Sequence, residues 1–230
     1  MVRLVGTAVI LTLATLVVSG ADAAKRGRTC FGKTATIVRG GGDDTIKGTG
    51  GSDVIVAGAG NDLVRTRQGD DYVCGGVGDD ELHGGDGTNH TDGGDGDDFV
   101  DGRRGVDDTL LGGGGRDRML GGGILKGGPG FDDIRSASYR GEVDVDLVFG
   151  GRGNDLLVGD GKGEFGERLA GGVGNDELLG GGEADKMYGG YGKDRLSGRG
   201  DLDKLDGGPQ IDSCRELPED RLRNCELPIG

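Results

Sequence analysis

From Ile46 onward one large apolar residue recurs at every ninth position: Ile46, Ile55, Val64, Val73 and Leu82 follow each other at equal spacing. Thr91 takes the next place, and the series continues with occasional slips through Val100, Leu110, Met119, Ile134, Leu157, Leu178, Met187, Leu196, Leu205 and Cys214. The residues before and after each of these are mostly polar or small, which is the alternation of a strand with one side chain pointing in and its neighbours out. Six residues rich in glycine and aspartate precede each short strand. One turn plus one strand makes a half-coil, and two such units make a coil of eighteen residues. Coils stacked at ~4.8 Å give two parallel sheets around a thin apolar seam.

The units read RGGGDDTIK, GTGGSDVIV, AGAGNDLVR, TRQGDDYVC and GGVGDDELH, and later GGVGNDELL and GGYGKDRLS, with the consensus Gly-Gly-x-Gly-x-Asp-x-U-x, where U is apolar. Sixteen units align, thirteen with glycine at position four and fifteen with aspartate at position six, so three position rules hold together far beyond chance. Glycine suits a sharply turning backbone with positive φ that ions approach closely. Asp and Asn at position five are expected to tolerate the left-handed conformation. The pattern resembles the hemolysin-type calcium-binding repeat, called RTX, over roughly Arg39 to Arg215. That resemblance implies an all-β fold, a right-handed parallel β-roll built as a repeat solenoid.

Composition fits this picture. Glycine fills 56 of 230 positions, but it does not recur at every third residue and there are only 4 prolines, which excludes collagen. The formal net charge of −14 argues against nucleic acid and anionic membranes and for cations. Calcium takes six to eight oxygens from carboxylates and carbonyls, and the turn supplies both. Zinc lacks a Cys/His cluster, since His83 and His90 stand alone, and magnesium prefers a compact hydrated octahedron. The candidate ligands for multiple calcium ions are the position-six carboxylates Asp44, Asp53, Asp62, Asp71, Asp80, Asp98, Asp108, Asp117, Asp132, Asp155, Asp176, Asp185, Asp194 and Asp203. Beside them stand the position-four glycines Gly42, Gly51, Gly60, Gly69, Gly78, Gly96, Gly115, Gly153, Gly174 and Gly192. Turns on one edge come from alternate units, so Asp44 should face Asp62 and Asp53 should face Asp71. Each coil buries only two apolar side chains while ordering eighteen residues, so the roll is expected to need calcium in order to fold.

Broken units should bind weakly. Gly121 to Lys126 keeps a strand without an aspartate, Asn89 replaces the carboxylate, and Glu183, Asp201 and Gln210 replace the position-four glycine. Arg103 and Arg104 bring positive charge to the junction before Asp107 and Asp108. The best sites should use Asp44, Asp62, Asp71, Asp80, Asp98, Asp155, Asp176 and Asp194. Residues 136–170 interrupt the repeat, with Val143, Val145 and Leu147 reading as a longer strand and Gly159 to Gly166 as a loop, and they suggest a seam between two abutting rolls.

The organisation expected is a signal peptide over 1–24, a cap segment over 25–38, repeat blocks over 39–135 and 171–215 on either side of that interruption, and a C-terminal cap over 216–230. Arg3, the apolar run Leu4 to Val18 and the small residues to Ala24 have the order of a cleaved secretory signal, and the run is short of a membrane span. The product is therefore expected outside the cell, free or associated with its surface. Four cysteines in an exported chain suggest disulfides with three possible connectivities, of which Cys30–Cys74 with Cys214–Cys225 is favoured because it ties down the two ends of the array. The toxins and proteases of the family export through a C-terminal signal and carry a further domain, features not expected here. No His-Glu-x-x-His or Gly-x-Ser-x-Gly motif points to an enzyme. Two readings remain: a calcium-binding module that folds on its ion, and a calcium-rigidified structural or adhesive protein with an unidentified surface or matrix partner.

Overall fold

The computed structural model describes residues 28–102, 104–105, 107–137, 146–161, 166–215 and 220–226. The expected signal segment, Arg103, Val143 and Val145 lie outside these residues, as does much of the C-terminal cap. Successive strands alternate between two sheets, one of ten strands from Thr45–Lys47 to Ser213–Arg215 and one of eleven from Ile37–Val38 to Arg221–Arg223. Neighbours within each sheet pair in parallel, so Ile46 meets Val64 and Ile55 meets Val73. The fold is an all-β parallel roll, as the repeat implies.

The two sheets differ in strand length. In the ten-stranded sheet most strands cover only positions seven to nine, as in Leu63–Arg65. In the eleven-stranded sheet all inner strands except Lys204–Asp206 are six residues long, as in Val54–Ala59, because they run on into the first three positions of the next turn. The position-eight side chains of both sheets meet between them, and all sixteen expected core residues are at most 3% exposed.

Three further strand residues join the core, beside Ala57. Leu125, Val148 and Leu169 are fully or almost fully buried in the same seam. They lie on Ile124–Pro129, Leu147–Arg152 and Arg168–Val173, which are consecutive neighbours in the eleven-stranded sheet. Both sheets pass through 136–170 without a break, so the expected seam between two rolls is replaced by one continuous roll. Where described, the alternating stretch has the opposite phase to the one expected. Leu147 faces out, Val148 faces in, and buried Asp146 takes the place of a position-six residue.

Both ends are tied down by disulfides, Cys30–Cys74 and Cys214–Cys225, in the expected pairing. At the N-terminal end Thr29–Cys30 and Lys33–Thr34 form a small antiparallel pair, and Phe31 at its turn packs edge-on against His90. His90 in turn stacks on Tyr72. No helix among the described residues is long and apolar enough to cross a membrane.

Candidate metal centre

Because turns from alternate units stack, the roll has two edges, and they are not alike. On one edge lie the turns ending in Asp44, Asp62, Asp80, Asp98, Asp117, Asp132, Asp155, Asp176, Asp194 and Asp212. Each is six residues long without insertion or deletion. The other edge carries Asp53, Asp71, Asn89, Asp108, Asp146, Glu167, Asp185, Asp203 and Asp220, and every insertion, deletion and lost carboxylate falls there.

On the regular edge one hydrogen-bond ladder runs end to end. The N–H of Asp44 donates to Oδ1 of Asp62 at 2.7 Å, Asp62 to Asp80, Asp80 to Asp98, and the sequence continues unbroken to Asp194 and Asp212. The expected facing pairs Asp44–Asp62 and Asp53–Asp71 are both present. Each carboxylate thereby spends one oxygen on the neighbouring coil. Its second oxygen is buried and accepts no hydrogen bond at Asp62, Asp80, Asp98, Asp117, Asp132, Asp155, Asp176, Asp194 and Asp212.

That second oxygen points at position one of its own turn. A Cβ built on Gly93 would overlap Oδ2 of Asp98 and the carbonyl of Gly112 in the next coil, and Gly75, Gly150, Gly171 and Gly189 have equivalent surroundings. Each of these turns thus encloses a small space lined by a carboxylate oxygen and a peptide carbonyl, kept open by the missing side chain. Among the described residues no three acidic, His or Cys side chains converge, so peptide carbonyls must supply much of any metal's coordination. An all-oxygen, carbonyl-rich donor set fits a hard cation such as calcium.

Burial drives the carboxyls of this edge upward, to about 7 at Asp98, Asp117 and Asp155 and about 6 at Asp80, Asp132 and Asp176. The N–H from the preceding coil acts against this, and neighbouring carboxylates add to it at most of these positions. A row of desolvated carboxylates without a positive partner is costly on its own. A cation among them would remove that cost.

Glycine at position four holds a φ between 96° at Gly42 and 158° at Gly130 along the regular edge, where Gly60, Gly78, Gly96, Gly115, Gly153, Gly174 and Gly192 also lie. On the other edge Gly69 shares this conformation. Gly51 does not. The expectation for position five is met only at Asp107, where φ is 55°; the other described Asp and Asn residues there do not have positive φ. Their side chains instead form a second ladder, in which Asp43 Oδ1 accepts from the N–H of Asn61, Asn61 from Asp79, and Asp79 from Asp97. Where the series reaches Arg116 and Phe131, the guanidinium lies 4.9 Å from the ring centre instead.

The irregular edge meets its own needs only in part: Oδ2 of Asp71 and Asp203 and one carboxylate oxygen of Glu167 are buried and accept no hydrogen bond, as on the regular edge. Oδ2 of Asp53 accepts from the N–H and hydroxyl of Thr49, and Oδ2 of Asp185 accepts from the N–H of Gly181. The Asn89 amide receives the Asp71 N–H on its oxygen and points its nitrogen at the carbonyls of Gly85 and Gly87, 3.4 and 3.3 Å away. A neutral donor there occupies the place a cation would take. Asp185 is pushed to about 8, first by burial and then by the carboxyl of Glu167 beside it.

A model of the RTX calcium-binding nonapeptide repeat (4 copies) matches residues 39–73, 68–100, 75–107, 92–123, 140–161, 163–194 and 179–214, more than half of the chain. The chain belongs to the RTX calcium-binding repeat family. Its cofactor is accordingly calcium, in several copies, and its repeats form a structural calcium-binding fold rather than an enzyme's scaffold. No curated protein matches the chain as a whole. The RTX model covers the coils through Asp108 and Asp185 as well as the regular ones, although Oδ2 of Asp185 is taken by a backbone N–H. Sequence reasoning passed over Asp212 as a ligand because Gln210 replaces its glycine. The turn is nevertheless regular, and the Gln210 side chain accepts the N–H of Gly192.

Proposed function

We propose that this protein is exported and folds on calcium, and that the ions sit chiefly along the regular edge. The observation that carries the reading is the unbroken row of buried Oδ2 atoms without hydrogen-bond donors from Asp62 to Asp212, most of them beside a position-one glycine, where the other edge's series is interrupted at Asp53, Asn89 and Asp185. Asp62, Asp80, Asp98, Asp117, Asp132, Asp155, Asp176, Asp194 and Asp212 would hold the ions together with peptide carbonyls of the glycine-rich turns. Bound calcium supplies the positive charge that offsets the desolvated carboxylates and cross-links successive coils.

Without the ion, a seam one side chain deep on each sheet has to order a chain unusually rich in glycine. The carboxylate row then opposes stacking as well. Export fits the two terminal disulfides, which persist in oxidising surroundings. Calcium is scarce inside cells, and extracellular calcium modules work at about 10⁻⁴–10⁻³ M, so such a chain stays open before export and closes after it.

Calorimetric titration of the oxidised chain with calcium tests the assignment. Asn at Asp80, Asp98 and Asp117 together should lower the number of ions bound, whereas Asn at Asp53 and Asp185 should leave it unchanged. Equal losses from both sets would contradict a one-sided row.

A further inference from the structure

The outer face of the eleven-stranded sheet carries a feature that calcium binding leaves unused. Arg168, Lys186, Lys204 and Arg221 stand at position seven of four successive strands and are direct partners in the parallel register. All four are exposed. Among the described residues none of them makes an ion pair. Strands lie ~4.8 Å apart, so the row runs for about 14 Å.

Like charges facing one another across neighbouring strands destabilise a sheet. In a chain of net charge −14, acidic partners are in excess, yet none forms an ion pair with this row among the described residues; Asp206, on the same strand as Lys204, pairs with Arg223 instead. Two residues further along the same strands, Tyr188, Asp206 and Arg223 line a shallow hollow of about 640 Å³ together with Tyr191, Gln210 and Asn224, with Glu226 at its far end from the cation row. Tyr188 and Tyr191 are 48% and 62% exposed. The face therefore combines a straight line of cations with aromatic faces and amide hydrogen-bonding groups.

We propose that this face binds a linear acidic polysaccharide, its carboxylate or sulfate groups along Arg168, Lys186, Lys204 and Arg221 and its sugar rings against Tyr188 and Tyr191. Aromatic side chains present an apolar body to a sugar face, and Gln210 and Asn224 supply partners for hydroxyls. A broad anionic surface such as a membrane, or a duplex, would also bring its charge against the acidic turns that border the sheet. A single flexible chain laid along the row avoids them. This inference rests on the β-roll and not on which turns hold calcium, so it can fail while the calcium reading stands.

The test uses the full oxidised chain in calcium, with dextran sulfate and polygalacturonate as immobilised probes. Neutral dextran, phosphatidylserine vesicles and duplex DNA serve as comparisons. Binding to at least one acidic polysaccharide is expected, weakening steeply with added salt. K186E/K204E should weaken it at least tenfold, with unchanged far-UV circular dichroism. K47E/R195E makes the same charge change on the opposite sheet and should stay within twofold of the parent. Y188A should weaken binding without altering its salt dependence. Absence of binding to both polysaccharides, or equal losses from the two charge-reversal pairs, would overturn the proposal. So would tighter binding to vesicles or DNA that K186E/K204E abolishes in the same way.

Discussion

Replacing Asp98 by asparagine separates what a carboxylate does for the fold from what it does for the ion. Oδ1 of Asp98 accepts the Asp80 N–H, and an asparagine oxygen can keep that bond. Oδ2 is buried without a donor. In D98N an amide nitrogen replaces it and can donate to nearby carbonyls, as Asn89 already does towards Gly85 and Gly87. An unsatisfied buried polar group costs about 1–3 kcal/mol, so D98N should stabilise the calcium-free roll by that order. D98A removes the same cost but strands the Asp80 N–H, a penalty of similar size, and should lie near the parent. In calcium at a hundred times its Kd, each ion contributes about 2.7 kcal/mol, so both variants should lose at least that much of the calcium-dependent stability. Urea unfolding followed by circular dichroism, in chelator with trimethylamine oxide and again in calcium, measures both quantities. A D98N chain less stable than the parent in chelator, or one with an undiminished calcium increment, would refute the reasoning.

The position-one space can be tested by filling it: G93A should cost about 1–3 kcal/mol by overpacking and weaken calcium binding. G114A, whose Cβ would have no atom closer than 3.6 Å, should stay within about 0.5 kcal/mol in the same titration. Acid acts in opposite senses on the free and loaded forms. Asp98, Asp117 and Asp155 have folded values of about 7, above the ordinary carboxyl value of 3.8. The chelated roll should therefore gain stability as pH falls from about 7 towards 4, while calcium affinity weakens because ions must displace protons. Calorimetry in buffers of different ionisation enthalpy should show proton release on calcium binding near pH 6.5. Opening Cys30–Cys74, which spans 44 residues, should raise the calcium midpoint, because its loop-closure contribution is about 4 kcal/mol in the chain-entropy treatment.

Much of this structure is legible because the nine-residue rule ties one apolar residue to each strand. The rule placed Thr91 and Cys214 in the seam even though neither is a large hydrocarbon. It did not supply Leu125, Val148 and Leu169 as core positions, although the strand of Gly121 to Lys126 was expected; their turns lack the Gly-Gly-x-Gly frame, and a core position needs only the correct phase after its turn. Asp146 and Glu167 take the position-six place for the same reason. The ladder from Asp43 to Asp97 was not visible either. A short acceptor side chain at position five suits a left-handed residue and a cross-coil hydrogen bond equally, and only the stacked backbone shows which is used. The difference between the edges was in principle readable, since sorting the units alternately sends every irregular one to the same side. A coil can absorb extra residues on one edge provided the other keeps its 4.8 Å stacking. The row of Arg168, Lys186, Lys204 and Arg221 emerges only with register, because these residues are spaced 17 or 18 apart in the chain.

The dependence of the fold on its ion is tested most directly by far-UV circular dichroism of the oxidised chain, titrated from excess chelator into millimolar calcium. If calcium completes the roll, the spectrum changes cooperatively from that of an open chain to that of a β-sheet, and magnesium at equal concentration does not reproduce the change. A sheet spectrum already present in chelator and unmoved by calcium would contradict the coupling of ion to fold.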